Sequence, residues 1–257
     1  METPPVFSQY PRSNKGRGPG VYFEMIGEAF TFMFRNPKIY IGAGGIAVGI
    51  IGIAYVGFLV TFIAIMPRTS SRINPDSINS GQLGVIIGLY AVLGVAFFLA
   101  RMLMIGVSAC TVEESDTGST SFKTLFSPFV RFFPVAGCVI LSQLAIMVGA
   151  VLCYVPGLYL MGVLAFAPEI CLIEKLGPIE SITKSYEMIK PHAWMMVLLT
   201  FVLSFLSGAG GLACGIGLAV TFPIMYIVLG MHYREFRGPI QPRMQTPMDP
   251  YNPTMTL

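Results

Sequence analysis

Charge is what this sequence has least of. Lys and Arg total 16 and Asp and Glu 13 in 257 residues, so 11% of the chain is charged, where soluble domains carry about 25%. With 54% hydrophobic residues, too few charges remain to coat a water-exposed surface, which excludes a soluble globular protein. Histidine is scarce as well: His192 and His232 lie far apart, there is no H-E-x-x-H pattern, and neither a nucleophile elbow nor a P-loop occurs. The cysteines, Cys110, Cys138, Cys153, Cys171 and Cys214, contain no C-x-x-C pair. That argues against a disulfide framework or zinc site and predicts buried, small apolar side chains. No cofactor or metal is expected. The net charge of +3 is modest, so nucleic acid is not an expected partner.

What the sequence has is length without charge. Uncharged runs extend over Ile39–Pro67, Ser77–Ala100, Phe132–Pro168 and Pro191–Tyr233. A spanning helix takes about 20 apolar residues, so the first two runs predict one span each and the last two a pair each. Tyr154-Val155-Pro156-Gly157 marks a turn in the third run, with Pro156 and Gly157 as its turn residues. Glycines concentrated from Gly208 through Gly215 and Gly217 mark the other, with Pro223 further on as another turn residue; one kinked, buried helix is the alternative there. The expected fold is an all-α, polytopic membrane bundle with spans at about 39–66, 83–110, 134–154, 157–173, 192–209 and 214–233.

Basic residues set the orientation, because short cytoplasmic loops are enriched in Lys and Arg. Six spans put Arg12, Lys15, Arg17, Arg35, Lys38, Lys123, Arg131, Lys175, Lys184, Lys190, Arg234, Arg237 and Arg243 on one side and only Arg68 and Arg72 on the other. Both termini are therefore expected in the cytoplasm. No cleavable signal peptide is expected, since the first twenty residues are polar. Residues 1–20 and 238–257 read as disordered cytoplasmic tails, the second Pro-rich, around a single membrane domain at 21–237. No extramembrane piece is long enough for a catalytic domain.

The cytoplasmic connections have a pattern of their own. EAFTFMFRNPK, SFKTLFSPFVRFFP and GPIESITKSYEMIKP each precede a membrane hairpin and close on a basic residue and a proline. In the third, Ile179, Ile182, Tyr186 and Ile189 follow helical spacing, with Pro178 suited to a first turn. The pattern predicts three hairpins, each preceded by a cytoplasmic interfacial amphipathic helix that its proline ends.

Pro156-Gly157-Leu158-Tyr159, Phe166-Ala167-Pro168, Leu176-Gly177-Pro178-Ile179-Glu180 with Ser185, Ala213-Cys214-Gly215-Ile216-Gly217, Pro223 and Tyr233-Arg234 together carry a resemblance. With Ile26-Gly27-Glu28-Ala29-Phe30 and Gly118-Ser119-Thr120-Ser121-Phe122 it covers residues 23 to 237. The sequence resembles a group of bacterial six-helix integral membrane proteins related to the membrane domain fused to some glycerophosphodiester phosphodiesterases. The resemblance implies a bacterial cytoplasmic (inner) membrane location. It implies no phosphodiesterase activity, which belongs to a separate soluble domain in the fused proteins.

Two ionisable residues fall inside predicted spans, Arg101 and Glu169, where charge is costly. They are candidates for an intramembrane ion pair; snorkelling of Arg101 to the headgroups is the competing reading. His192 and Trp194 read as interface anchors. Gly45, Gly49 and Gly52 in the first span and Gly84 and Gly88 in the second form small faces for helix packing, within the first hairpin or against an oligomer or partner. The expected function is a noncatalytic scaffold or accessory subunit that organises lipids or a protein partner through glycine faces or amphipathic helices. A small transporter or channel for a lipid or hydrophobic solute is the alternative. A lipid-modifying enzyme lacks the necessary acid, base and metal ligands.

Overall fold

The computed structural model describes residues 20–65, 80–212 and 216–238, and these are helical, with no strand among them. The chain runs through α1 (Met25–Arg35), α2 (Pro37–Ile65), α3 (Ser80–Thr117), the short turns α4 (Phe122–Leu125) and α5 (Ser127–Val130), α6 (Phe132–Leu152), α7 (Tyr154–Val163), α8 (Ala167–Ile173) and α9 (Pro178–Ile189). A single 3-10 turn, Lys190–His192, then leads into α10 (Ala193–Leu212) and α11 (Ile216–Arg237). Among the described residues, five stretches are long and apolar enough to cross a membrane: Pro37–Ala64, Leu83–Thr117, Phe132–Leu152, Tyr154–Ile173 and Pro178–Gly208. Consecutive long helices pack on one another: α2 on α3, α6 on α7, α10 on α11. Helix α11 also touches α1, α2 and α3, and its Ile224, Ile227 and Val228 are buried in the main core with Met102, Ile105, Phe166 and Ile170.

Several predicted boundaries move, each for a physical reason. The second span does not stop near Cys110; α3 continues to Thr117 because its polar last turns find partners. Glu114 accepts hydrogen bonds from Asn36 Nδ2 at 2.8 Å and the Tyr40 hydroxyl at 2.7 Å. Asp116 holds Arg234 Nε at 2.7 Å and Arg237 Nη2 at 2.5 Å. The chain reverses at Cys153, which is extended at φ −166° and ψ 138°, rather than at Pro156 and Gly157. Both of those lie within α7, Pro156 in its first turn, where a missing N–H costs little. A methyl group on Gly157 would come within 2.7 Å of the Ala150 backbone, so this glycine serves close approach of α6 and α7. Cys153 is exposed, unlike the buried Cys110, Cys138 and Cys171, which corrects the expectation that all the cysteines are buried.

Gly215 and Cys214 lie outside the described residues, as do Arg68, Arg72 and both tails through Pro19 and from residue 239. Gly217 is helical in the first turn of α11, and Pro223 sits inside that helix rather than at a turn. Pro223 has no N–H to offer the Ala219 carbonyl one turn back, and Gly44 of α2 meets that carbonyl. A Cβ on Gly44 would lie 2.0 Å from the Ala219 oxygen. The predicted packing glycines behave differently: beside Gly45, Gly49, Gly52, Gly84 and Gly88 a Cβ would meet nothing within 4 Å. They do not pack the α2–α3 pair internally. Two helices in contact need small residues only where backbones touch, and here that place is Gly44.

The connecting segments are uneven. Helix α1 buries Met25, Ala29 and Met33, and α9 buries Ser181, Ser185 and Ile189, whereas the middle segment forms two four-residue turns, α4 and α5. The apolar stripe of α9 is only partly its buried face: Ile189 is buried and Ile182 packs against the core, whereas Ile179 is 71% exposed and Tyr186 is exposed too. The prolines begin the following helices instead of ending the preceding ones. Pro37 opens α2 and Pro134 lies in the first turn of α6, while Pro191 sits in the 3-10 turn.

Candidate functional site

The fourth apolar stretch is a broken helix. After Val163 the chain turns through Leu164, Ala165 and Phe166 before resuming as α8. Pro168, within the first two positions of α8, has no N–H for the Leu164 carbonyl. That carbonyl takes the Ala167 N–H instead, at 3.2 Å. The Val163 carbonyl is met from outside: Ser185 Oγ of α9 donates to it at 2.7 Å, fully buried. Backbone polar groups inside an apolar bundle require such substitutes. The hydroxyl face of α9 therefore braces the break, while Ile179 and Tyr186 of its apolar stripe face outward.

Beyond the break the chain is held by polar contacts at one end of the bundle. Lys175 adopts φ 61°, ending α8 in the left-handed conformation that commonly terminates helices. Arg131 donates to the Cys171 carbonyl at 3.2 Å and the Lys175 carbonyl at 3.3 Å, satisfying acceptors the helix end leaves open. The Gly177 N–H donates to Glu180 Oε2 at 3.3 Å, so Gly177-Pro178-Ile179-Glu180 is the start signal of α9. Glu174 accepts from the Tyr233 hydroxyl at 2.8 Å and pairs with Lys184. His232 is fully buried: Nε2 accepts from the Tyr22 N–H at 3.1 Å, and Nδ1 donates to the Val228 carbonyl at 2.8 Å. One neutral tautomer makes both bonds, giving His232 a structural role. His192 and Trp194 rest edge-on against Phe236 and Tyr159, and Trp194 is exposed.

The break borders a cavity of about 200 Å³. Its polar lining comes from five helices: Arg101 of α3, Ser142 and Gln143 of α6, Glu169 of α8, Thr200 and Ser204 of α10, and Tyr226 of α11. The structure brings Arg101 and Glu169 to the same cavity, but not into an ion pair. Arg101 Nη1 donates to Gln143 Oε1 at 2.8 Å, and Arg101 makes no ion pair among the described residues. Glu169 is 2% exposed, and its Oε2 has no hydrogen-bond partner; nor has Ser142 Oγ, which is equally buried.

The remaining hydroxyls have a defined sense. Thr200 Oγ1 donates to the Met196 carbonyl at 2.7 Å and Ser204 Oγ to the Thr200 carbonyl at 2.8 Å. Each spends its proton on its own helix, so it has only acceptor lone pairs left for the cavity. Ser142, Gln143, Thr200 and Ser204 were not singled out from sequence, because uncharged residues in an apolar run leave no mark on a charge map. Their signal is spacing: Thr200 and Ser204 stand four apart on one helix face. No metal-ligating cluster of three or more His, Cys, Asp or Glu occurs among the described residues.

Comparison with protein-family models, curated proteins and solved structures finds no match for this chain.

Proposed function

We propose that this chain is a noncatalytic, six-span membrane protein that holds a small polar solute in the cavity beside the broken fourth helix, as a carrier or passage does. The observation that carries this reading is Glu169, buried with one carboxylate oxygen unpartnered, in the lining of a cavity that Arg101 also lines. Ionisable side chains within membrane segments are expensive and mark ligand or ion paths, and helices interrupted in mid-membrane commonly build such sites. Thr200 lies only about 10 Å along α10 from Ala193 at 1.5 Å per residue, so the cavity sits in the half of the bundle nearer the connecting helices.

The sixth span is α11, whose 22 residues carry no charge before Arg234. Support for cytoplasmic termini comes from the polar contacts of Arg131, Lys184, Arg234 and Arg237 at the end of the bundle that holds α1 and α9. On this reading α1 and α9 lie at the cytoplasmic interface, Ile179 and Tyr186 of α9 contacting lipid. The motif resemblance to the bacterial membrane family supports a location in the bacterial cytoplasmic membrane.

A scaffold or accessory-subunit role is the second reading, favoured by the open faces at Gly45, Gly49, Gly84 and Gly88, which suit close contact with another helix in lipid. The two readings separate on one measurement. In the detergent-purified full chain carrying Cys153→Ser, Cys214→Ser and Ser204→Cys, the new thiol is expected to react with a small methanethiosulfonate faster than the buried Cys110, Cys138 and Cys171. A thiol that reacts only after unfolding would mean a dry, packed bundle and would leave the scaffold reading in place.

A further inference from the structure

The cavity's two charged groups specify what it takes. Arg101 has one N–H committed to Gln143 and a guanidinium fork suited to a carboxylate or phosphate. Glu169 Oε2 has no donor, and a buried carboxylate left unpaired is costly. Thr200 and Ser204 have only acceptor lone pairs to add, since both donate to backbone. A simple anion would satisfy Arg101 and bring a second negative charge toward Glu169. A simple cation would satisfy Glu169 and meet the charge of Arg101. A neutral polar molecule would leave both groups without a charged partner.

We propose that this cavity binds a small zwitterion, its carboxylate or phosphate on Arg101 and its primary ammonium on the Glu169 carboxylate, with Thr200 and Ser204 accepting further ammonium protons. This rests on the solute-binding reading above and adds the ligand class. An amino acid, or the phosphodiester headgroup of an aminophospholipid, meets both charges while carrying no net charge into the apolar bundle; an aminoalkyl phosphate monoester meets both and brings about one further negative charge at neutral pH. About 200 Å³ suits an amino acid or an aminoalkyl phosphate and is below the roughly 300 Å³ at which drug-sized sites begin. The same chemistry is available from a free solute or from the headgroup of an aminophospholipid in the surrounding leaflet.

The test measures how ligands slow the reaction of Ser204→Cys, in the same Cys153→Ser and Cys214→Ser background, with methanethiosulfonate, using the full chain in nanodiscs of phosphatidylcholine and phosphatidylglycerol. L-Alanine or phosphoethanolamine is expected to protect at concentrations about ten-fold lower than ethanolamine, acetate or phosphate alone, the difference made by one further charge-assisted hydrogen bond. Phosphocholine, whose ammonium has no N–H, is expected to protect less well than phosphoethanolamine. Arg101→Gln should abolish the advantage of the zwitterion over ethanolamine, and Glu169→Gln its advantage over phosphate. Arg101→Lys and Glu169→Asp, which keep the charges, serve should either neutral variant fail to elute as a monodisperse species.

Nanodiscs containing phosphatidylethanolamine distinguish the sources. Slow reaction there without added solute assigns the ligand to the lipid, and fast reaction assigns it to the free solute; either result requires the zwitterion preference to hold. A reactive thiol protected equally by phosphate or ethanolamine alone would overturn the zwitterion and retain a solute site. A reactive thiol that nothing protects would mean a water-filled cavity and would also overturn it. A thiol unreactive in the folded chain would overturn the solute-binding reading beneath it.

Discussion

Replacing Gly44 with alanine should separate two helices that Gly45→Ala, one residue away, leaves untouched. The Gly44 Cβ would sit 2.0 Å from the Ala219 carbonyl oxygen and 2.6 Å from Pro223 Cγ. Neither yields easily, because one is helix backbone and the other belongs to a ring fixed in the same helix. Ordinary van der Waals contact begins near 3.4 Å, so α2 must withdraw from α11 by at least about 1 Å. A gap of that size forfeits a quarter to a half of the dispersion attraction across the contact. The affected neighbours include Tyr40, Ala43 and Ala47 of α2, all buried to 1% exposure or less. Overpacking of this kind costs about 1–3 kcal/mol, and the upper end applies because the obstacle is backbone. Gly45 has nothing within 4 Å, and alanine there also improves helix propensity, so its change should stay within about 0.5 kcal/mol of zero or be stabilising. The assay is reversible unfolding by SDS in mixed micelles, comparing both variants with the parent. Equal effects of the two substitutions would refute the claim that Gly44 is the contact between α2 and α11.

Two further contacts can be tested in the same assay. Tyr40→Phe keeps the ring, its edge contact with Phe32 and its burial, and removes only the hydroxyl that donates to Glu114 Oε2. The expected loss is about 1.5–3 kcal/mol because the acceptor is a carboxylate, above the ~0.6 kcal/mol average for interhelical hydrogen bonds in lipid. In a double-mutant cycle, Glu114→Gln should cost less in the Tyr40→Phe background than in the parent; strict additivity would refute the pairing. Ser185→Ala should cost about 1–3 kcal/mol by orphaning the Val163 carbonyl at the helix break. Ser181→Ala should cost less, since Ser181 Oγ bonds only the Gly177 carbonyl within its own helix; the reverse order would show that α9 does not brace the break.

The helices were legible because length without charge is a direct measure of what lipid accepts, and α2 and α6 lie within a few residues of the predicted spans. What escaped was set by partners distant in sequence. The end of α3 depends on Asn36, Tyr40, Arg234 and Arg237, and no local pattern reports those. The turn assigned to Pro156 and Gly157 fell at Cys153 because proline is as comfortable in a first helical turn as in a loop. Pro168 did signal the break at Leu164–Phe166, yet in the sequence it stood out only as part of a motif. Arg101 and Glu169 were found by their charge and do share a cavity, whereas the placement of Gln143, which holds Arg101 instead of Glu169, depends on the rotation of α6 about its axis. The glycine spacing identified open faces on α2 and α3, and the glycine in contact, Gly44, was distinguishable from Gly45 only once α11 was in place.

The central position of α11 has a consequence for how the protein is made. It follows every other described helix, yet it touches α1, α2, α3 and α10 and supplies the Met225, Tyr226 and Leu229 wall of the cavity. Helices α1 to α10 therefore leave the ribosome before the helix that packs against α1, α2, α3 and α10 exists. Until α11 arrives, Glu114 can already hold Asn36 and Tyr40, but Asp116 and Glu174 await Arg234, Arg237 and Tyr233, and the close approach of Gly44 to Ala219 is unmade. Assembly is thus a waiting problem, in which contacts made early in the chain stay open until α11 is present to complete them.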